Sequence, residues 1–151
     1  MKTALSYAVV MAFVLVSAPP IFATDCATDD PTGASVAAAR ASADQSCHDD
    51  GRGCDNAPSH GAYVSCVAHA VNALSSGPSP SLPRSCKGAV KRCAARSTCG
   101  KQDRGFVTCY RTDSSGTTKC SIKAESSLCT APSGGSACVG SNASCCDSCT
   151  P

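Results

Sequence analysis

Fourteen cysteines crowd the 124 residues from Cys26 to Cys149, and residues 24–151 offer only fourteen large apolar side chains, counting Leu, Ile, Val, Met, Phe, Tyr and Trp together. A buried side chain of that kind contributes roughly 1.5–3 kcal/mol. An ordinary hydrophobic core cannot be assembled from so few, so covalent cross-links must stand in for the missing burial. The alternative is a disordered chain, but the formal net charge is only +2 and disorder of this kind favours high net charge. At about 11% of residues 24–151, the cysteine content marks a small exported disulfide scaffold. The same arithmetic excludes a large-pocket enzyme and a strongly basic nucleic-acid binder.

Residues 1–23 are predicted to be a signal peptide. Lys2 supplies the positive start, Tyr7 to Val16 form an apolar run of ten, and Ala23 precedes the expected cut. A run of ten is too short to span a bilayer, which needs about 20 residues, so no transmembrane segment is expected. The expected compartment is extracellular or periplasmic and envelope-associated, where thiols end as disulfides. Asn142-Ala143-Ser144 is the one glycosylation sequon in the chain.

Three helices are predicted. Residues 34–45 are Ala-rich and follow the turn Asp30-Pro31-Thr32-Gly33. In residues 59–75, Ser59 is the candidate N-cap and Gly77-Pro78 the stop. On that helix Ala62, Tyr63, Cys66, Val67, Ala70, Val71, Ala73 and Leu74 share one face, with Ser65, His69 and Asn72 opposite. In residues 83–97 a narrow face of Cys86, Ala89, Val90, Cys93 and Ala94 opposes Arg84, Lys87, Lys91, Arg92 and Arg96. The short connection between the last two predicts a helical hairpin, and Cys66–Cys93 is its predicted bridge. Cys47 and Cys54, flanking a turn, are further disulfide candidates.

From Gly105 the pattern becomes strand-like. Residues 106–112 and 117–123 flank Asp113-Ser114-Ser115-Gly116, taken as a four-residue hairpin loop. Thr112 then faces Thr117, Val107 faces Ile122, and Cys109 faces Cys120, the second predicted bridge. Residues 124–151 read as loop with one further short hairpin. The expectation is a small disulfide-rich α+β fold: a Cys-rich helical region over 24–104, then a cystine-rich β-hairpin and loop region over 105–151. Each region holds seven cysteines, so with all thiols paired an odd number of bridges must cross between them.

Chemistry-bearing motifs are sparse. Cys146-x-x-Cys149 has redox spacing, yet lacks the strand-to-helix context in which such pairs work. Cys66-x-x-His69 with Cys47, His48 and His60 offers zinc-type ligands, but Cys66 and His69 diverge on the helix wheel. Asp49 to Asp55 lacks calcium-loop spacing. No Gly-x-Ser-x-Gly elbow occurs and Glu125 is the only glutamate. No catalytic residue, metal site or cofactor is therefore expected. Charge is segregated, with seven acids and two bases in residues 24–60 against ten bases and two acids in 84–123. Internal complementation of the two segments is the simpler expectation. A basic surface of Arg84, Lys87, Lys91, Arg92 and Arg96 for an anionic partner is the alternative.

The stretch His60-Gly61-Ala62-Tyr63-Val64-Ser65-Cys66-Val67-Ala68-His69, with Cys93-Ala94-Ala95-Arg96-Ser97-Thr98-Cys99-Gly100-Lys101, resembles a recurrent stretch in uncharacterised secreted Cys-rich proteins of bacteria. It covers about residues 59–109, with Ser59 where Asn is expected. The resemblance implies no activity, cofactor or catalytic residue. The expected role is a secreted structural or interaction module without enzymatic activity, its partner another extracellular protein or an anionic surface. An effector, toxin or antimicrobial acting through the basic helix is the alternative role.

Overall fold

The computed structural model describes residues 26–101 and 105–149; the predicted signal peptide, residues 1–23, lies outside them. A single turn, α1 (Cys26–Asp29), leads into α2 (Ala34–Asp49). The Asp30 carboxylate accepts from the Val36 amide at 2.8 Å, satisfying one orphan donor of the first turn of α2. This helix runs four residues past its predicted end, and Gln45 donates to the Asp49 carboxylate one turn on at 2.8 Å. In α3 (His60–Leu74) Ser59 caps as predicted, its hydroxyl accepting from the Ala62 amide at 3.2 Å. Tyr63, Cys66, Val67 and Val71 are buried, Ser65, His69 and Asn72 exposed; of the predicted apolar face, Ala73 alone faces solvent. The third predicted helix splits into a 3-10 turn, Arg84–Cys86, and α4 (Lys87–Ala95).

The three longer helices pack mutually rather than as a two-helix hairpin, and this redirects the sulfurs. Ala39, Ala43 and Cys47 form a buried seam along one side of α2, and Cys66 turns to it. The predicted Cys66–Cys93 bridge is not formed: Cys66 pairs with Cys47, and Cys93 pairs with Cys146. Cys54 pairs with Cys99 and Cys26 with Cys86. An inward-facing cysteine on α3 has two neighbouring helices to choose from, and periodicity alone does not say which.

The sheet is antiparallel in the order β2-β1-β3, from β1 (Val107–Thr112), β2 (Thr118–Lys123) and β3 (Ser136–Val139). β3 is the strand hidden in the segment read mainly as loop. The hairpin register differs by one residue from that predicted. Asp113 closes the ladder, donating to Thr117 O at 3.1 Å and accepting from the Gly116 amide at 3.0 Å. The loop is therefore three residues, Ser114 to Gly116, ending on the left-handed Gly116 at φ 82°. The Asp113 carboxylate fixes it by accepting from the Ser115 hydroxyl and from the Ser115 and Thr117 amides. Those bonds, the Ser115 hydroxyl foremost, hold its pKa below the ordinary carboxylate range.

One residue of register reverses the faces. Cys109 now opposes Ser121, while Cys120 opposes Tyr110, so the predicted Cys109–Cys120 bridge is impossible. Cys109 pairs with Cys129, and Cys120 with Cys145. The seventh bridge is Cys138–Cys149. All fourteen cysteines are paired, and Cys93–Cys146 is the single bridge joining residues 24–104 to 105–151, an odd number as parity requires.

Among the described residues, six of the fifteen buried hydrophobic residues are half-cystines. The large buried side chains are few: Tyr63, Val67, Val71, Leu82, Val90 and Tyr110. The interior is thus filled by sulfur and alanine, with a handful of aliphatic side chains between the helices.

Candidate functional site

The C-terminal motif Cys145-Cys146-Asp147-Ser148-Cys149 is a junction. Register places Cys120 and Cys138 on either side of Tyr110, on one face of the sheet. Their bridges to Cys145 and Cys149 strap the chain end across the Tyr110 ring. The buried Tyr110 hydroxyl donates to the carbonyl oxygens of Ser144, at 2.9 Å, and Asp147. Burial is the first cause that raises its pKa above the ordinary tyrosine value. Cys146 leaves the strap for α4, where the Ser144 hydroxyl donates to Cys93 O at 3.1 Å and the Cys145 amide to Arg96 O at 2.9 Å. Cys146 and Cys149 bond to different elements, so they do not form a dithiol couple with each other.

Asp147 reaches from the strap to α2, pairing with Arg40 at 2.9 Å. Beside this pair opens a cleft of about 340 Å³ lined by Asp44, Tyr63, Asn142 and Ser144, with Cys54 and Cys99 in its wall. Asp44 Oδ1 is buried and without a hydrogen-bond partner among the described residues. The Tyr63 phenol is pushed up to about 12, by burial first and then by the Asp44 carboxylate. It is a hydrogen-bond donor at neutral pH and no base. A raised folded-state value means that its stabilising contribution is complete below the unfolded value near 10 and is lost as pH rises through the folded one. NMR titration of the Tyr63 ring is expected to show ionisation near pH 12, together with loss of structure; a midpoint near 10 in folded protein contradicts this burial.

The five predicted cations share one ridge. Arg84, Arg92 and Arg96 are exposed, Lys87 and Lys91 half-exposed, while Cys86, Val90, Cys93 and Ala94 are buried beneath them. The Lys91 ammonium donates to Asn72 Oδ1 at 3.1 Å, and Arg96 donates to the carbonyl of Cys120 on the edge strand β2. Among the described residues, the ion pairs are Arg40–Asp147 and Arg52–Asp50, with His48 Nδ1 also 3.9 Å from the Asp49 carboxylate. None of these involves the ridge. Among the described residues, internal complementation of acidic and basic segments is not expressed as ion pairs there.

The zinc-type residues do not converge as ligands. Cys47 and Cys66 spend their sulfurs on each other, and no metal-binding group of three is found among the described residues. His60 serves the fold: its ring nitrogens lie 2.9 Å from Cys99 O and 3.2 Å from Ala95 O. Gly100 lets that turn close on α3, since a Cβ there would sit 2.5 Å from the Ser59 carbonyl carbon. No helix among the described residues is long and apolar enough to cross a membrane. No protein-family model, curated protein or solved structure matches this chain.

Proposed function

We propose that this chain is an exported, cystine-locked interaction module that works by displaying a rigid surface and catalyses no reaction. The observation that carries this reading is the use of all fourteen cysteines in bridges. Several of these tie together elements far apart in sequence, with separations of up to 60 residues. Such cross-linking suits an oxidising, protease-rich compartment and leaves no thiolate nucleophile. The charged start and ten-residue apolar run before Ala23 support export. The resemblance over residues 59–109 to secreted Cys-rich bacterial proteins points the same way. The alternative effector reading rests on the cations Arg84, Lys87, Lys91, Arg92 and Arg96.

Thiol titration of the native, oxidised protein tests the proposal. No thiol is expected to react before denaturation and reduction. One stoichiometric, rapidly reacting thiol in the folded protein would overturn the reading, because it restores a nucleophile.

A further inference from the structure

We propose that the exposed side of the Arg84–Cys86 turn and α4, through Arg96 at its C-cap, is a binding ridge for a linear acidic polysaccharide. The inference rests on the interaction-module reading and names the partner class for it. Four observations converge. From Asn56 to Gln102 the sequence holds no Asp or Glu in 47 residues, yet carries Arg84, Lys87, Lys91, Arg92, Arg96 and Lys101. Both α3 and α4 are therefore free of carboxylates. Asp29 accepts from the Ser85 hydroxyl at the N-terminal end of the ridge. Among the described residues no salt bridge reaches these cations.

Second, two of the cations are positioned by neutral acceptors. Lys91 is held by an amide oxygen and Arg96 by a backbone carbonyl. Their side chains are ordered without losing charge, which lowers the entropy cost of binding an anion. Third, the cations follow one another along the exposed side of the helix, Lys87 and Lys91 toward its α3 flank and Arg92 and Arg96 toward its β2 flank. Arg84 to Arg96 spans about 18 Å at the helical rise of about 1.5 Å per residue. That shape fits a chain of regularly spaced carboxylates or sulfates better than a single compact anion, and each guanidinium can engage such a group through two donors.

Fourth, nothing on this face inserts into a membrane. Between the cations lie Gly88 and Ala95. Among the described residues, the exposed large apolar ones are Leu128 and Val139, in the sheet region. A membrane-seeking helix carries bulky apolar groups beside its charges.

The test uses the oxidised full-length protein after export, with heparin and polygalacturonate as sulfated and carboxylated probes. Both are expected to bind at low salt, with affinity falling as salt rises. The double variant Lys87→Gln with Arg92→Gln is expected to weaken binding by roughly tenfold, whereas Lys119→Gln on β2 leaves it within about twofold. Circular dichroism and native thiol titration of the variants should match the parent, separating loss of the ridge from loss of the scaffold. Absence of binding to both polymers at low salt overturns the proposal, as does an undiminished double variant. Tighter binding to phosphatidylglycerol vesicles or to duplex DNA than to either polysaccharide also overturns it, in favour of a membrane or nucleic-acid partner. A reactive native thiol would instead count against the module reading and leave the ridge standing.

Discussion

Replacing Cys93 and Cys146 together by alanine is expected to lower the melting temperature by roughly 10–15 °C. This bridge alone links the helices to the sheet region and closes a separation of 53 residues. Loop-closure entropy assigns about 3–4 kcal/mol to a constraint of that size, allowing for the shortcuts other bridges already impose on the unfolded chain. For a domain of this length each kcal/mol moves the midpoint by a few degrees. The two regions should still associate, because Thr98 donates to Ala143 O at 2.8 Å and Cys145 to Arg96 O at 2.9 Å. Each such bond contributes about 1 kcal/mol. The loss should therefore show as faster amide exchange at Thr98 and Cys145, with the α2–α3 amides protected nearly as before. Calorimetry and hydrogen exchange on the double variant check both parts; an unchanged midpoint would mean that contacts, not the bridge, unite the halves. Alanine at both positions matters, since a single replacement leaves a thiol able to attack neighbouring disulfides.

How far the sequence foretold this structure varies from element to element for physical reasons. α3 was legible because its cap, its apolar period and its Gly77-Pro78 stop agree. α2 was extended by a Gln45–Asp49 contact that periodicity does not weigh. The α+β order and the crossing parity of the bridges followed from residue types and counts alone. Pairings did not, because they depend on which helix lies beside which, and on a hairpin loop one residue shorter than assumed. There the carboxylate of Asp113 decided the register, and one position of slip sent Cys109 and Cys120 to opposite faces. In place of the further hairpin expected in residues 124–151 stands one four-residue strand, β3, which pairs with β1.

Of the candidate sites, the basic ridge was visible, since a helix wheel needs only local spacing. The cleft beside Arg40 and Asp147 was not. It joins α2 and α3 to the chain end without a motif, and the only local hint was Arg40 and Asp44 one turn apart.

Full reduction carries the largest expected effect. Six large buried side chains and a set of alanines make a thin interior, whereas folded domains retain only about 5–15 kcal/mol of net stability. Even at roughly 2 kcal/mol each, seven bridges together reach the top of that range. The helices offer little in exchange: α4 has nine residues, α2 and α3 sixteen and fifteen, and isolated helices become marginal in water below about 12–15 residues.

The decisive measurement is circular dichroism and trypsin digestion of the protein before and after complete reduction and thiol blocking, without denaturant during the assay. The oxidised form should hold its helical signal on heating and resist cleavage at the twelve Lys and Arg residues of 24–151. The reduced form should lose most of that signal at 25 °C and be digested at the rate of an unfolded chain. A blocked, fully reduced protein that keeps its spectrum and its resistance would contradict the account, since the apolar interior would then suffice without sulfur.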